Sequence, residues 1–322
     1  MNERLQSLDI IEKDAAVGLF AQKKINRQIG VEFLPTGVAI VQVQVGEKKS
    51  GRVVSSDFLP AVGQDAQGLA LQKWVESNNL QKYNCVCLIS ADDFSIHQVE
   101  KPKVEDPELM QALTWRVKDL IAYDVGSVVI DYYPMPVSNK NNTPQLSVVT
   151  AQDWTVAAYI ECIKSSGLKL LAIDIPRLVG ANLKEVRQAK GQTLAVLSLT
   201  ETSGFLNIYH DTDLYVSRDF KIGTNQLAQV TADDEWHYDS LLLEIQRSMD
   251  YFESYYGLGP VSKLLVFPEV PDTQKLAIYL QKLTNFDINF IAFNTSEFDD
   301  VGDILESHCF HAYGAALRGI KQ

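Results

Sequence analysis

From Ile29 the chain alternates apolar with small or polar positions, breaks at Pro35 and Gly37, and resumes the alternation over residues 38–45. This is the period of a half-buried strand interrupted by two turn formers, and it predicts a β-hairpin. A third strand, Arg52 to Leu59, follows. A helix comes next at about 65–78, with Leu69, Ala70, Trp74 and Val75 on its apolar side. Residues 84–90 read as a short buried strand and Ser95 to Val99 as another. The helix over about 106–121 has Asp106 to cap it, Pro107 at its first position and Glu108 at the positive end of its dipole. Leu109, Leu113, Val117 and Leu120 recur along it at helical spacing, which predicts one buried face. Val128 to Tyr133 and Leu146 to Thr150 are strands around a polar loop at 138–144. A helix over 152–166 ends at Gly167, residues 169–174 form a strand, and Pro176 opens a helix carrying Val179, Leu183 and Val186.

The pattern then repeats. Leu194 to Leu199, Phe205 to Tyr209 and Leu214 to Phe220 are three strands, followed by a short helix near 223–230. Leu241, Ile245, Met249, Phe252 and Tyr256 step along one face of a long helix at 238–256. A strand at Ser262 to Phe267, a helix at 272–283, a strand at Asp287 to Ile291 and a last helix at 309–319 complete the chain. The expected class is α/β, as two βββαβα-like halves around one cleft. Residues 1–27 carry no sustained period and are expected to be a mobile leader.

Composition narrows the function. A chain of 322 residues suits two domains, and a net charge of −12 argues against a nucleic-acid surface, which needs clustered cations. The one basic stretch, Gln22 to Arg27, reads as a solvated face rather than a lipid contact. No apolar run approaches the roughly 20 residues of a membrane span. Residues 1–25 lack the apolar core of a secretory signal, so a cytoplasmic location is expected, with the four cysteines reduced. His308, Cys309 and His311 crowd one helix start, but no second cluster offers ligand spacing, and they read as structural. No nucleophile-elbow sequence is present, and Tyr251, Phe252, Tyr255 and Tyr256 read as core and rim.

The duplicated pattern, with Ile29-Gly30-Val31-Glu32, Arg218 to Gly223, Glu244 to Phe252 and Tyr313 to Arg318, resembles the actin-like ATPase superfamily. Within it the resemblance is to the PilM-type proteins of type IV pilus assembly. It implies a ribonuclease H-like duplicated fold. The first half would hold residues 28–92 and 171–190, the second 191–308, and helix 309–322 would pack back on the first. Residues 93–170 would be the inserted subdomain shared with the cell-division protein FtsA.

Nucleotide-binding members carry an Asp-x-Gly first hairpin, a second hairpin of the same kind and a Gly-Gly adenosine turn. Here Glu32 and Leu34 stand in the first, Ser198 and Thr200 in the second, and Pro268-Glu269 in the third. Leucine adds bulk and proline removes a backbone donor, so the scaffold of a phosphate site remains while its anion-accepting backbone does not.

The expectation is therefore a non-catalytic adaptor without cofactor, peripheral to the inner membrane. By the resemblance, it receives the cytoplasmic N-terminal tail of a PilN-like inner-membrane protein. The helix at 106–121 and the strand at 128–133 are the expected walls, with Arg116, Tyr132 and Met135 as contacts. The alternative is a conformational switch binding ATP with magnesium through Glu32, Asp174 and Gly223. A sugar or acetate kinase is a poorer third reading, because no catalytic base stands out.

Overall fold

In a computed structural model, residues 27–45, 51–138, 143–183, 191–211, 213–231, 234–291 and 307–319 are described. The expected leader at 1–26, including most of the basic stretch, and Val186 lie outside them. In chain order the elements begin with β1 (Arg27–Leu34), β2 (Gly37–Val45), β3 (Gly51–Pro60), α1 (Gln64–Ser77) and β4 (Asn84–Leu88). Then come β5 (Phe94–Glu100), α2 (Asp106–Val117), β6 (Val128–Pro134), β7 (Gln145–Gln152), α3 (Asp153–Ser165), β8 (Lys169–Asp174) and α4 (Pro176–Val179). The remainder holds β9 (Thr193–Leu199), β10 (Gly204–His210), β11 (Asp213–Phe220), α5 (Thr224–Leu227), α6 (Trp236–Tyr256), β12 (Lys263–Phe267), α7 (Pro271–Leu283), β13 (Asp287–Phe290) and α8 (Phe310–Ala316).

Two five-stranded sheets have the same strand order, β3-β2-β1-β4-β8 and β11-β10-β9-β12-β13. Each joins an antiparallel three-stranded meander to two parallel strands. A third sheet, β5-β7-β6, is antiparallel and lies between β4 and β8 in sequence.

Alternation along β1 sorts its side chains. Ile29, Val31 and Phe33 join Leu71, Trp74 and Ile163 in the core beneath α1 and α3. Gly30 and Glu32 face α8 on the other side. That helix is buried all round, as a helix apolar or small at nearly every position must be. Its Phe310, Ala312 and Ala316 share a cluster with Ala39 and Val41 of β2 and with Val196 and Phe267 of the second sheet. Helix α8 is thus the layer between the halves. The second half has its own core, where Leu241, Ile245, Met249, Phe252 and Tyr256 of α6 are all buried as their period predicts.

Several local expectations are corrected. The buried side of α1 is Gln67, Leu71, Trp74 and Val75, whereas Leu69 is 57% exposed. Gln67 is inside because its Nε2 donates to the carbonyl of Leu34 at 2.7 Å, at the end of β1, a long-range role that no periodicity records. Helix α2 stops at Val117 instead of 121, and Leu120 is 52% exposed. The Val117 carbonyl accepts from both Leu120 and Ile121, which tightens the last turn and swings Leu120 off the apolar face. Asp106 lies inside α2, and Glu105 takes the cap position. Helix α4 ends at Val179 and becomes a 3-10 turn over 180–182. There the Tyr209 hydroxyl lies 2.7 Å from where a Gly180 Cβ would be, although Leu183 is buried as expected. Helices α5 and α8 are likewise shorter than the 223–230 and 309–319 expected. All four cysteines are free thiols.

Candidate functional site

The two hairpin tips meet across the cleft between the halves. The first tip is Pro35-Thr36, between β1 and β2; the second is Thr200 to Ser203, between β9 and β10. The second closes on itself, its Thr200 N–H donating to the Ser203 carbonyl at 2.8 Å. The Thr36 hydroxyl then donates to Glu201 Oε1 at 2.9 Å, linking one tip to the other. A further link joins Arg177, just after β8, to Asp219 on β11, with the guanidinium 5.5 Å from the Phe94 ring centroid. Arg177 is therefore already paired. Thr36→Ala is expected to cost about 0.5–1.5 kcal/mol, the net worth of one such bond. It should also speed amide exchange at both tips together; faster exchange at the first tip alone would deny the bridge.

Behind the tips, β1 aims Glu32 at α8. Its Oε1 lies 3.0 Å from His311 Nδ1, and both side chains are buried. His311 also stacks on Phe205 with ring centroids 5.5 Å apart. Glu32 Oε2 and His311 Nε2 are buried without a hydrogen-bond partner among the described residues. The pair borders two cavities, of about 260 and 490 Å³. The smaller is walled by Leu34, Pro35, Leu199, Phe267 and Pro268, and Glu201 and His308 also line it. Arg177, Asp219 and Lys221 line the larger. After β12, Thr273 is fully buried; its hydroxyl donates to the Pro268 carbonyl at 2.6 Å and accepts from the Val270 N–H at 3.0 Å. Gly223 is pressed against the backbone of Glu201, 2.5 Å from its would-be Cβ. Arg177 and Lys221 apart, the lining offers mainly carboxyls, hydroxyls, proline and apolar side chains, and the smaller cavity has no lysine or arginine among the described residues that line it. An anion there would face Glu32 and Glu201 at close range, which is repulsive.

A third cavity, of about 320 Å³, lies between β6 and β8. Val129, Asp131, Tyr132 and Tyr133 line it from β6, Ile173 and Asp174 from β8, and Arg318 from beyond α8. Both strands are the edges of their sheets, so each carries main-chain groups that no described strand pairs. Arg318 hydrogen-bonds and ion-pairs with Asp174. Burial nevertheless raises the Asp174 carboxyl above the ordinary aspartate pKa, with Arg318 and the Ile175 N–H pulling it part of the way back. The folded chain thus holds this proton more tightly than the unfolded one. The group opposes folding increasingly as pH rises from the ordinary aspartate range through its raised value, and the penalty is absent below.

The six residues singled out in the sequence are therefore not one site. Glu32 and Asp174, expected together at a magnesium ion, border different cavities. Gly223 lines none of the three. Tyr132 lines the β6–β8 cavity with Asp174, whereas Arg116 stands on the exposed side of α2 and Met135 follows the end of β6; neither lines that cavity. The sequence reading passed over Thr36, Arg177, Glu201 and Arg318. Only their long-range partners distinguish them, so no local signal marks them.

No protein-family profile and no curated protein matches the chain. Solved structures do. A chain of a PilM–PilN type IV pilus biogenesis complex superposes with a TM-score of 0.70 at 17% identity, over 92% of this chain and 99% of that one. The cytoplasmic domain of EpsL, an inner-membrane component of the type II secretion system of Vibrio cholerae, gives 0.52 at 15% identity, over 87% and 97%. A Bacteroides thetaiotaomicron protein with an actin-like ATPase fold gives 0.51 at 10% identity, over 85% and 94%. With its two sheets in the same strand order and these likenesses, the chain has the actin-like ATPase fold.

Proposed function

We propose that this protein is a non-catalytic adaptor of a type IV pilus assembly machine, holding the cytoplasmic N-terminal tail of a PilN-like inner-membrane protein. The observation that carries the reading is the cavity between two strand edges, β6 and β8. An extended tail can add main-chain hydrogen bonds to such an edge and seat alternate side chains in the pocket beside it. The volume, about 320 Å³, suits one or two anchoring apolar side chains rather than a large cofactor. Likeness to a chain of the PilM–PilN complex supports the pilus setting, and likeness to the EpsL domain supports a wider secretion-type setting. The finer assignment, to the MshI component of mannose-sensitive haemagglutinin pilus biogenesis, rests on the segments Glu244 to Phe252 and Tyr313 to Arg318. Among the described residues no helix is long and apolar enough to cross a membrane. Attachment to the inner membrane would then run through the tail's owner. The hairpin cleft serves as scaffold, without ATP or magnesium.

The test is fluorescence anisotropy with a labelled synthetic tail of a PilN-like protein. Tyr132→Ala is expected to weaken binding at least tenfold, the scale of a buried aromatic anchor. Arg116→Ala should change it by less than about threefold, since rim charges contribute little to affinity. Binding indifferent to Tyr132→Ala would remove the groove from the account. Calorimetry with Mg-ATP at millimolar concentration should give no saturable heat; micromolar binding would restore the nucleotide-switch reading.

A further inference from the structure

The cavity of about 260 Å³ behind the hairpin tips has a chemistry of its own. At its floor, Glu32 and His311 are 2% and 4% exposed and hydrogen-bonded to each other through only one atom each. Glu32 Oε2 and His311 Nε2 are left buried with no partner among the described residues. Native structures seldom leave such atoms unmatched, and an unmatched buried acceptor is a vacancy for a donor. With the proton on Nδ1, His311 donates to Glu32 Oε1 and presents Nε2 as a lone pair. Both side chains line the one cavity. At its rim Glu201 adds a second carboxylate, one oxygen of which takes the Thr36 hydroxyl. No lysine or arginine is among the described residues that line this cavity. The remaining wall mixes apolar side chains, Leu34 and Phe267 among them, with Thr36, Thr200, Asn225 and His308.

Two carboxyl groups with no lysine or arginine among the described lining residues, two buried atoms unmatched among the described residues, and apolar side chains beside them favour a ligand opposite in sign to a nucleotide. We propose that this cavity binds a small organic cation, with an amidinium, guanidinium or ammonium head on Glu32 and His311 and a compact apolar body against Leu34 and Phe267. An amidinium or guanidinium head carries several N–H donors, so it can serve Glu32 and keep donors for the other acceptors of the lining. The cavity is smaller than those that take drug-sized molecules, roughly 300–1,000 Å³, so the body is one ring or a short chain. The substitutions that strip the hairpins of phosphate-binding backbone also build this site. Leu34 and Pro35 supply the wall, and the longer Glu32 reaches α8. The site is separate from the β6–β8 groove and does not depend on tail binding.

The full chain is titrated with benzamidine by calorimetry and by thermal shift, beside benzamide, its neutral isostere, and Mg-ATP. Benzamidine is expected to bind saturably and raise the melting temperature, with benzamide at least tenfold weaker. Glu32→Gln should weaken benzamidine at least tenfold. Glu201→Gln, at the half-buried rim, should weaken it severalfold in a chain whose unliganded melting temperature stays within a few degrees of the parent. A thermal shift on mixing benzamidine with Tyr132→Ala should match the parent, separating this site from the tail groove. Agmatine and an acetylated arginine amide then assign the head group's source, the tighter pointing to a free metabolite or to a partner's side chain respectively. Three results would overturn the proposal: no saturable benzamidine binding, equal binding of benzamide, or displacement of benzamidine by Mg-ATP. Binding untouched by both Glu32→Gln and Glu201→Gln would overturn it as well.

Discussion

Gly30→Ala is expected to cost at least about 3 kcal/mol and to leave little folded protein at physiological temperature. A Cβ on Gly30 would lie 1.8 Å from the Ala312 carbonyl oxygen and 2.7 Å from the Ala316 amide nitrogen. These are backbone atoms of a buried helix, so no side chain can rotate away. Strand β1 cannot retreat either, because β2 and β4 bond it on both sides. Relief would require α8 to lift from the sheet, which opens the shared layer between the halves where Phe310 stacks on Phe267 at 4.4 Å. The backbone at Gly30 is ordinary extended strand, so the penalty is steric rather than conformational. Gly68→Ala in α1 is the matched control. Its Cβ would meet only the Cys162 Sγ at 3.3 Å, and alanine gains up to about 1 kcal/mol of helix propensity there. Urea melts of both variants give the comparison, and a Gly30→Ala midpoint close to that of Gly68→Ala would refute the packing argument.

His311→Ala is expected to cost about 3–5 kcal/mol, the range for breaking a buried polar pair from one side. The loss has two parts. The imidazole leaves the Phe205 ring it stacks on, and Glu32 is left with neither carboxyl oxygen bonded at 2% exposure. The reverse substitution, Glu32→Ala, strands His311 in the same way. The double substitution removes both groups, so its cost should fall short of the sum by about 1–3 kcal/mol. Glu32→Gln keeps an acceptor for Nδ1–H and should cost much less than Glu32→Ala. Denaturant unfolding of the four variants closes the cycle; strict additivity would mean that the contact is incidental. Because α8 carries His311 toward one cavity and leads to Arg318 in another, losses here should also weaken the contact of Arg318 with Asp174.

Much of this architecture is written locally. The strands of the two halves and the period of α6 are read from residues close in sequence, although β1 and β2 prove buried on both faces rather than half-buried as their alternation suggested. All five residues read as the α6 stripe are in the core. Local reading failed where a distant partner outvoted the pattern. Leu69 yielded its place to Leu71 because Gln67 turns α1 toward the tip of β1. Helix α2 stopped at Val117, the last of its residues packed with Val99, Leu146 and Val148 of the third sheet.

The candidate sites divide in the same way. That Glu32, Leu34 and Pro35 stand at the first hairpin is visible in the sequence, as is the acidity of the chain. That Glu32 reaches a histidine 279 positions away, that Thr36 meets Glu201 across 165, and that Asp174 belongs with Arg318 and Tyr132 rather than with Glu32 are not. By itself the sequence determined the α/β class, the repeat, the long helix of the second half and the changed chemistry of the hairpins, because each rests on residues within a few positions of one another. The tertiary structure alone decided which side chains share a cavity. Such neighbours are joined through sheet register and the docking of α8, and hydrophobic periodicity records which face is buried without recording what lies against it.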